Sequence, residues 1–281
     1  MRVMIVDDSI VFRSQIKAAL EGVAGLTVMG SASNGKIALD FIELNPCDLL
    51  ILDLEMPVLN GLETLAELKR RNLPQKVIVF AAPTQDGARQ VFDAFNLGAV
   101  DFIAKPASPK SLEEALIGIK RDLIPKILQF VKLQSPRALA APLQQKKVNL
   151  DHLPLSSATK DFYVKVNLEQ FKPRIIAIGC STGGPLALET IFSTLKDRAL
   201  TLPILIVQHM PPHFTECLAK RLESLSGIPA AEGRDGEPIQ SGRIYIAPGD
   251  YHMSVRRKPD GTEVIIKLDQ GKALLRSPLR G

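Results

Sequence analysis

Three carboxylates and one lysine stand where apolar runs end. Asp7 and Asp8 follow the run at 3–6, Asp53 follows 49–52, and Lys105 comes just beyond 100–103. If these runs are neighbouring strands, the carboxylates repel one another by about 4 kcal/mol per pair at 4 Å and an effective dielectric of 20. Positive charge must therefore join them. Lys105 supplies one charge, and hard carboxylate oxygens suit Mg²⁺, which takes few carboxylates and keeps water ligands. A cation so placed neutralises the oxygens of a phosphoryl group arriving at Asp53. Taken singly, paired aspartates at a strand end or a lone lysine are ordinary solvated surface. Their joint placement on three strand ends points to a site.

A second set begins at Gly179. The stretch Gly179, Cys180, Ser181, Thr182, Gly183, Gly184 follows the apolar run at 175–178 and precedes Pro185, which suits the first turn of a helix. A serine on such a turn lies beside unpaired backbone N–H groups, a ready oxyanion hole. The local G-x-S-x-G matches a nucleophile elbow, although the pattern is short. Two other readings compete: a glycine-rich turn that binds dinucleotide phosphate, and Ser181 as a plain helix cap. The dinucleotide spacing G-x-G-x-x-G is absent, and the next strand ends in Gln208 and His209 where a ribose-binding acid would stand. His209 is placed to serve Ser181 as a general base. Spacing alone leaves that role and a structural histidine evenly matched.

The elements that position these residues follow from periodicity. Apolar runs at 3–6, 27–31, 49–52, 77–80 and 100–103 alternate with helical stretches, the signature of five βαβ units around a parallel sheet. Ser9 caps a helix with Phe12, Ile16 and Leu20 on its apolar face, and Gly61 opens another through Leu62, Leu65 and Leu68. Beyond Pro173 the pattern resumes with a strand at 175–178, a helix at 185–196, a strand at 204–207 and a helix near 214–225. The fold class is α/β throughout, and ligands gather beyond the carboxyl ends of such strands.

At roughly 150 residues per domain, 281 residues suggest two domains. Charge is divided unevenly: −3 over 1–123, +5 over 124–172 and +3 over 173–281. The basic middle holds the run at 129–149, with Pro136, Pro142, Gln144, Gln145, Lys146 and Lys147, and reads as a partly flexible linker. It lacks aromatic interleaving and no helix-turn-helix follows it, so nucleic acid is not an expected partner. No apolar run approaches the length of a membrane span, and Asp7 and Asp8 interrupt any secretory h-region, so the chain is expected in the cytoplasm without membrane insertion. Cys47, Cys180 and Cys217 are odd in number and widely spaced, which fits neither a disulfide framework nor a zinc site.

Residues 1 to about 121 resemble the receiver domains of two-component response regulators, through VMIVDDS, ILDLEMPVLNG and FIAKPAS. The resemblance implies a flavodoxin-like receiver. In it Asp53 takes phosphate from a chemotaxis histidine kinase, Asp7, Asp8 and Asp53 hold Mg²⁺ with the backbone carbonyl of Glu55, and Lys105 contacts the phosphoryl group. One departure stands out: Ala81 occupies the place where the family carries a serine or threonine that follows the phosphoryl group, and Thr84 is three residues too far on to replace it. Losing a hydrogen bond to a charged group costs about 1.5–3 kcal/mol, enough to blunt a switch. Phe102 lies at the family's aromatic switch position and reads equally well as core.

The motifs AIGCSTGGP, VQHMPPHFTECLAKRL and RIYIAPGDYHM, in this order, resemble the chemotaxis protein-glutamate methylesterase (CheB) family, in which a receiver precedes a doubly wound α/β catalytic domain. The resemblance implies a receiver at 1–121, a linker at 122–172 and a catalytic domain at 173–281. It also implies Ser181 as nucleophile, His209 as acid and base, and Thr182 as an active-site neighbour. No cofactor is implied for the esterase domain. Substrates in the family are methylated glutamates on chemoreceptors, hydrolysed to glutamate and methanol, and some members deamidate glutamine. Phosphorylation relieves occlusion of the serine by the receiver. The family's triad aspartate belongs to a Gly-Met-Gly-x-Asp-Gly-like segment that does not occur before Gly281. Asp250 reads as a turn residue, and the last acid is Asp269. A partial, C-terminally truncated catalytic domain is therefore expected. A catalytically impaired, receiver-controlled binding module stands as the alternative.

Overall fold

β-Branched and leucine-rich runs with both faces covered make buried parallel strands, and five of them form the first sheet. In the computed structural model, which describes residues 1–106, 112–133, 173–196, 198, 200–258 and 263–270, these are β1 (Arg2–Val6), β2 (Thr27–Ala32), β3 (Leu49–Asp53), β4 (Lys76–Ala81) and β5 (Asp101–Ala104). They run parallel in the order β2-β1-β3-β4-β5, the flavodoxin-like arrangement. Helices α1 (Ile10–Leu20) and α5 (Leu112–Leu133) cover one face, while α2 (Gly35–Leu44), α3 (Gly61–Arg70) and α4 (Gln85–Leu97) cover the other.

Caps set where these helices begin. The Ser9 side chain accepts from Phe12 N–H, and Asn60 and Glu63 form a reciprocal capping box at α3. Thr84 caps α4 by accepting from Gly87 N–H. Gly61 is required by close approach, because a Cβ there would lie 2.3 Å from the Asp53 carbonyl oxygen. Helix α5 carries through position 121, where the sequence boundary was set, as far as Leu133. Ile119, Leu123 and Ile127 keep one face buried at i, i+4 spacing. Of the linker expected at 122–172, residues 134–172 lie outside the described residues.

The second half builds a four-stranded parallel sheet, β6-β7-β9-β8, from β6 (Ile176–Cys180), β7 (Ile204–Gln208), β8 (Ala230–Glu232) and β9 (Ile244–Ile246). Helices α6 (Gly184–Ser193) and α7 (Phe214–Ser226) pack on it. An antiparallel hairpin, β10 (Tyr251–Arg257) and β11 (Val264–Gln270), follows; periodicity had not marked it out. Strand β6 extends two residues past the expected end and delivers the chain directly to Ser181. It is also an edge strand, with Ile176 36% and Val207 of β7 48% exposed. Parallel strands normally have both faces covered.

The two halves meet through α4 and α7. Phe102 of β5 stacks on Phe214 of α7, ring centroids 4.7 Å apart and planes 13° from parallel. Arg221 of α7 donates to the Asn96 side chain of α4 at 2.7 Å and to Glu189 of α6 at 3.1 Å. Phe102 is thus core, at the seam of the molecule. Among the described residues no helix is long and apolar enough to cross a membrane.

Candidate functional site

The carboxyl ends of β1, β3 and β5 bring Asp7, Asp53 and Lys105 together. Lys105 Nζ lies 2.7 Å from Asp53 Oδ2 and 3.3 Å from Asp7 Oδ2, while its N–H donates to the Ala81 carbonyl at 2.8 Å. Asp7 and Asp53 are only 1% and 2% exposed, whereas Asp8 is on the surface. Carboxylate oxygens of Asp7, Asp8 and Asp53 all lie within 4.8 Å of one another. Asp7 Oδ1 accepts from Ser9 N–H at 2.8 Å and Asp53 Oδ1 from Glu55 N–H at 3.4 Å. Arg13 donates to the carbonyls of Asp7 and Asp8 and holds the loop between β1 and α1.

Burial dominates the electrostatics. It pushes the Asp53 carboxyl up to about 6 and raises Asp7 as well, against the pull of Lys105. Lys105 itself is penalised by burial, yet its ion pairs with Asp53 and Asp7 hold it above the ordinary lysine value. With three carboxylates ionised, one lysine leaves two negative charges in excess. Lys105 apart, the buried Oδ2 atoms of Asp7 and Asp53 have no partner among the described residues. An all-oxygen, anionic pocket with unused lone pairs fits a small divalent cation. Ala81 is buried beside this pocket without a hydroxyl, and the Thr84 hydroxyl is committed to capping α4.

The second site grows from the register of β6 on β7. Cys180 pairs with Gln208 at the ends of adjacent parallel strands, which lie about 4.8 Å apart, and Ser181 and His209 are the residues that directly follow those two ends. Both are exposed. The turn closes when Gly184 N–H donates to the Ser181 carbonyl at 2.8 Å. Gly183, at φ +71°, is the N-cap of α6 and no side chain caps that helix. Ser181 is therefore not the helix cap that the sequence left possible, and its hydroxyl is free among the described residues. The N–H groups of Thr182 and Gly183 likewise have no acceptor among the described residues.

Gln208 escaped attention as a functional residue. It is 6% exposed and its Nε2 donates to the Ser181 carbonyl at 2.9 Å. A lone amide ending the apolar strand ILIVQ was the available signal. Asp250 is a turn residue at φ +67°, and Asp269 faces His252 across the β10–β11 hairpin. Neither pairs with His209 among the described residues.

Comparison with known proteins finds a family match for each half of the chain. The family model for the response regulator receiver domain matches residues 3–117, and that for CheB methylesterase matches 176–278. The chain is 40% identical over 278 residues to a protein-glutamate methylesterase/protein-glutamine glutaminase of Paramagnetospirillum magneticum, covering 96% of this chain and 72% of that one. It is 41% identical over 272 residues to a protein of the same name from Trichodesmium erythraeum, again covering 96% and 72%. The crystal structure of the response regulator domain of Thermotoga maritima CheB aligns at 32% identity and a TM-score of 0.43, covering 48% of this chain and 98% of that one. An acid pocket at the ends of one parallel sheet, a serine turn at the end of another and relatives that share almost the whole chain lead to one assignment: the chain belongs to the chemotaxis protein-glutamate methylesterase/protein-glutamine glutaminase family, with a receiver domain ahead of a CheB methylesterase domain.

Proposed function

We propose that this protein hydrolyses glutamate methyl esters on chemoreceptors, and deamidates glutamine there, under control of Asp53 phosphorylation. The observation that supports the proposal is the β6–β7 register, in which Cys180 and Gln208, the residues just before Ser181 and His209, are ladder partners. Ser181 Oγ attacks the ester carbonyl while His209 takes its proton. His209 then returns that proton to the departing methanol, and water hydrolyses the acyl-serine with the same residue as base. The free N–H groups of Thr182 and Gly183, at the N-terminal end of α6, stabilise the oxyanion. The proposed domain division is a receiver over 1–121, from which α5 runs on to Leu133, a linker over 122–172 and a catalytic domain over 173–281.

In the receiver, a histidine kinase donates the phosphoryl group to Asp53. Asp7, Asp8 and Asp53 would hold Mg²⁺, with the Glu55 carbonyl as a further ligand, and the ion would neutralise the phosphoryl oxygens. Lys105 contacts the same oxygens. Lys105 directly follows β5, three residues after Phe102, so a shift at the phosphoryl group has a short path to the Phe102–Phe214 stack. Ser181 is exposed to water, yet a receptor helix is about 10–12 Å across. A domain docked beside the turn can bar that helix while water still enters, and releasing α4 from α7 would admit it.

A second reading is a receiver-controlled module that binds receptor without hydrolysing it. It is favoured by His209, which has no carboxylate partner among the described residues. Methanol release from methylated receptor, with and without a phosphodonor, separates the two. The proposal requires turnover that rises with phosphodonor and vanishes in Ser181→Ala. No turnover under either condition, with receptor binding intact, gives the protein to the second reading.

A further inference from the structure

We infer that Gln208 is a positioning residue, whose amide ties the serine turn to β7 and so fixes where Ser181 stands relative to His209; this rests on the Ser181/His209 assignment above. A buried amide is costly unless hydrogen-bonded, and Gln208, at the end of an otherwise apolar strand, is buried. Its Nε2 donates to the Ser181 carbonyl at 2.9 Å, and the same oxygen accepts from Gly184 N–H at 2.8 Å. Both lone pairs of that carbonyl are thereby used, one within the turn and one from the neighbouring strand. Without Gln208, a single bond inside the turn would hold the serine peptide.

The amide is also wedged sterically. Its Oε1 is buried without a partner among the described residues and lies where a Cβ on Gly184 would come within 1.9 Å. Only glycine at 184 leaves room for the clamp. Two consecutive residues then serve one purpose: the side chain of Gln208, the last residue of β7, grips the nucleophile's own peptide, and His209, next along the chain, is the base proposed for its hydroxyl. Misplacing a reacting group by about 1 Å can cost 10²-fold in rate. Gln208 is buried and bonded to the serine peptide, so its loss is expected to appear in kcat rather than KM.

Two substitutions remove the clamp from opposite sides. Gln208→Met keeps the length and loses the donor; Gly184→Ala pushes the amide out. The full-length protein and both variants are compared by hydrogen–deuterium exchange of the peptide spanning 180–186 and by methanol release. Each variant is expected to exchange at least tenfold faster there, with peptides of β1 to β5 unchanged, and to lose at least tenfold in kcat with KM within twofold. The double variant is expected to be no worse than the poorer single one, since both destroy the same bond. Unchanged exchange at 180–186 in folded Gln208→Met overturns the inference, whether or not the protein turns over. Additive losses in the double variant overturn it too. Ser181→Ala is the control for the underlying assignment: if it retains full turnover, the Ser181/His209 site is wrong and exchange alone decides the clamp.

Discussion

Replacing Phe214 tests whether the receiver and the catalytic half share one cooperative core. The ring is fully buried and stacks at 4.7 Å on Phe102, which is itself nearly buried. The opposite neighbours of Phe102 are Phe95, edge-on at 6.2 Å, and the Lys126 ammonium, 5.3 Å from the ring. Deleting a buried phenylalanine to alanine costs about 3–5 kcal/mol, of which the stack contributes about 0.5–1.5 kcal/mol beyond area burial. Phe214→Leu and Phe102→Leu keep most of the volume, so each single change should cost under about 2 kcal/mol. A double-mutant cycle on the two leucine variants, read by denaturant unfolding, isolates the ring–ring contribution. The expected coupling is about 0.5–1.5 kcal/mol, with fluorescence and circular dichroism transitions coincident in the parent protein. A coupling indistinguishable from zero, together with Phe214→Ala costing under about 1 kcal/mol, well below a core deletion, would refute the packing of β5 and α4 against α7.

Other consequences concern the acid pocket and the thiols. The native Asp53 carboxyl, raised by burial to about 6 from 3.8, binds protons more tightly folded than unfolded, which withholds about 3 kcal/mol of stability at neutral pH. That stability returns as pH falls through about 6 towards 3.8. Asp53→Asn in the presence of a chelator should therefore be more stable than the parent at pH 7, with the gain shrinking in acid; a gain independent of pH contradicts the assignment. Added Mg²⁺ should raise the unfolding midpoint of the parent, and Asp8→Asn or Asp53→Asn should abolish most of that rise; an equal rise in all three would place the ion elsewhere. Burial lifts the Cys47 thiol to about 11 and also raises Cys180, which is only half-buried. A thiol reagent at pH 8 should label Cys180 before Cys47 in the native protein, and all three cysteines alike in urea; faster native labelling of Cys47 would show that strand β3 is not packed as described.

Much of the acid pocket was legible in the chain because its signals are local. Asp7, Asp53 and Lys105 each terminate a strand, and in a parallel sheet all such ends share one edge. Ser9 and Gly61 announced their helices for equally local reasons, a cap bond and a close approach. Element ends were less legible. Strand β6 gains two residues because Gly179 and Cys180 find ladder partners in Val207 and Gln208. Helix α5 outruns position 121 because Ile127 finds a place in the core beneath it. Those partners are distant in sequence and no local pattern reveals them. The β10–β11 hairpin was missed for the same reason: its inward face packs on Leu205 and Tyr245 of another sheet.

By itself, the sequence determined the chemistry available: oxygen ligands and a lysine at one set of strand ends, a serine on a glycine-rich turn at another, and the family they resemble. Tertiary structure decided what those groups do to one another. It took Ser181 out of the capping role by giving that position to Gly183, made Phe102 a seam between halves and buried Gln208 against the serine peptide. It also raised Asp53 by burying it. The reason is physical: residue type and spacing set the bonds a side chain can make, but burial, register and long-range packing set which of them are made.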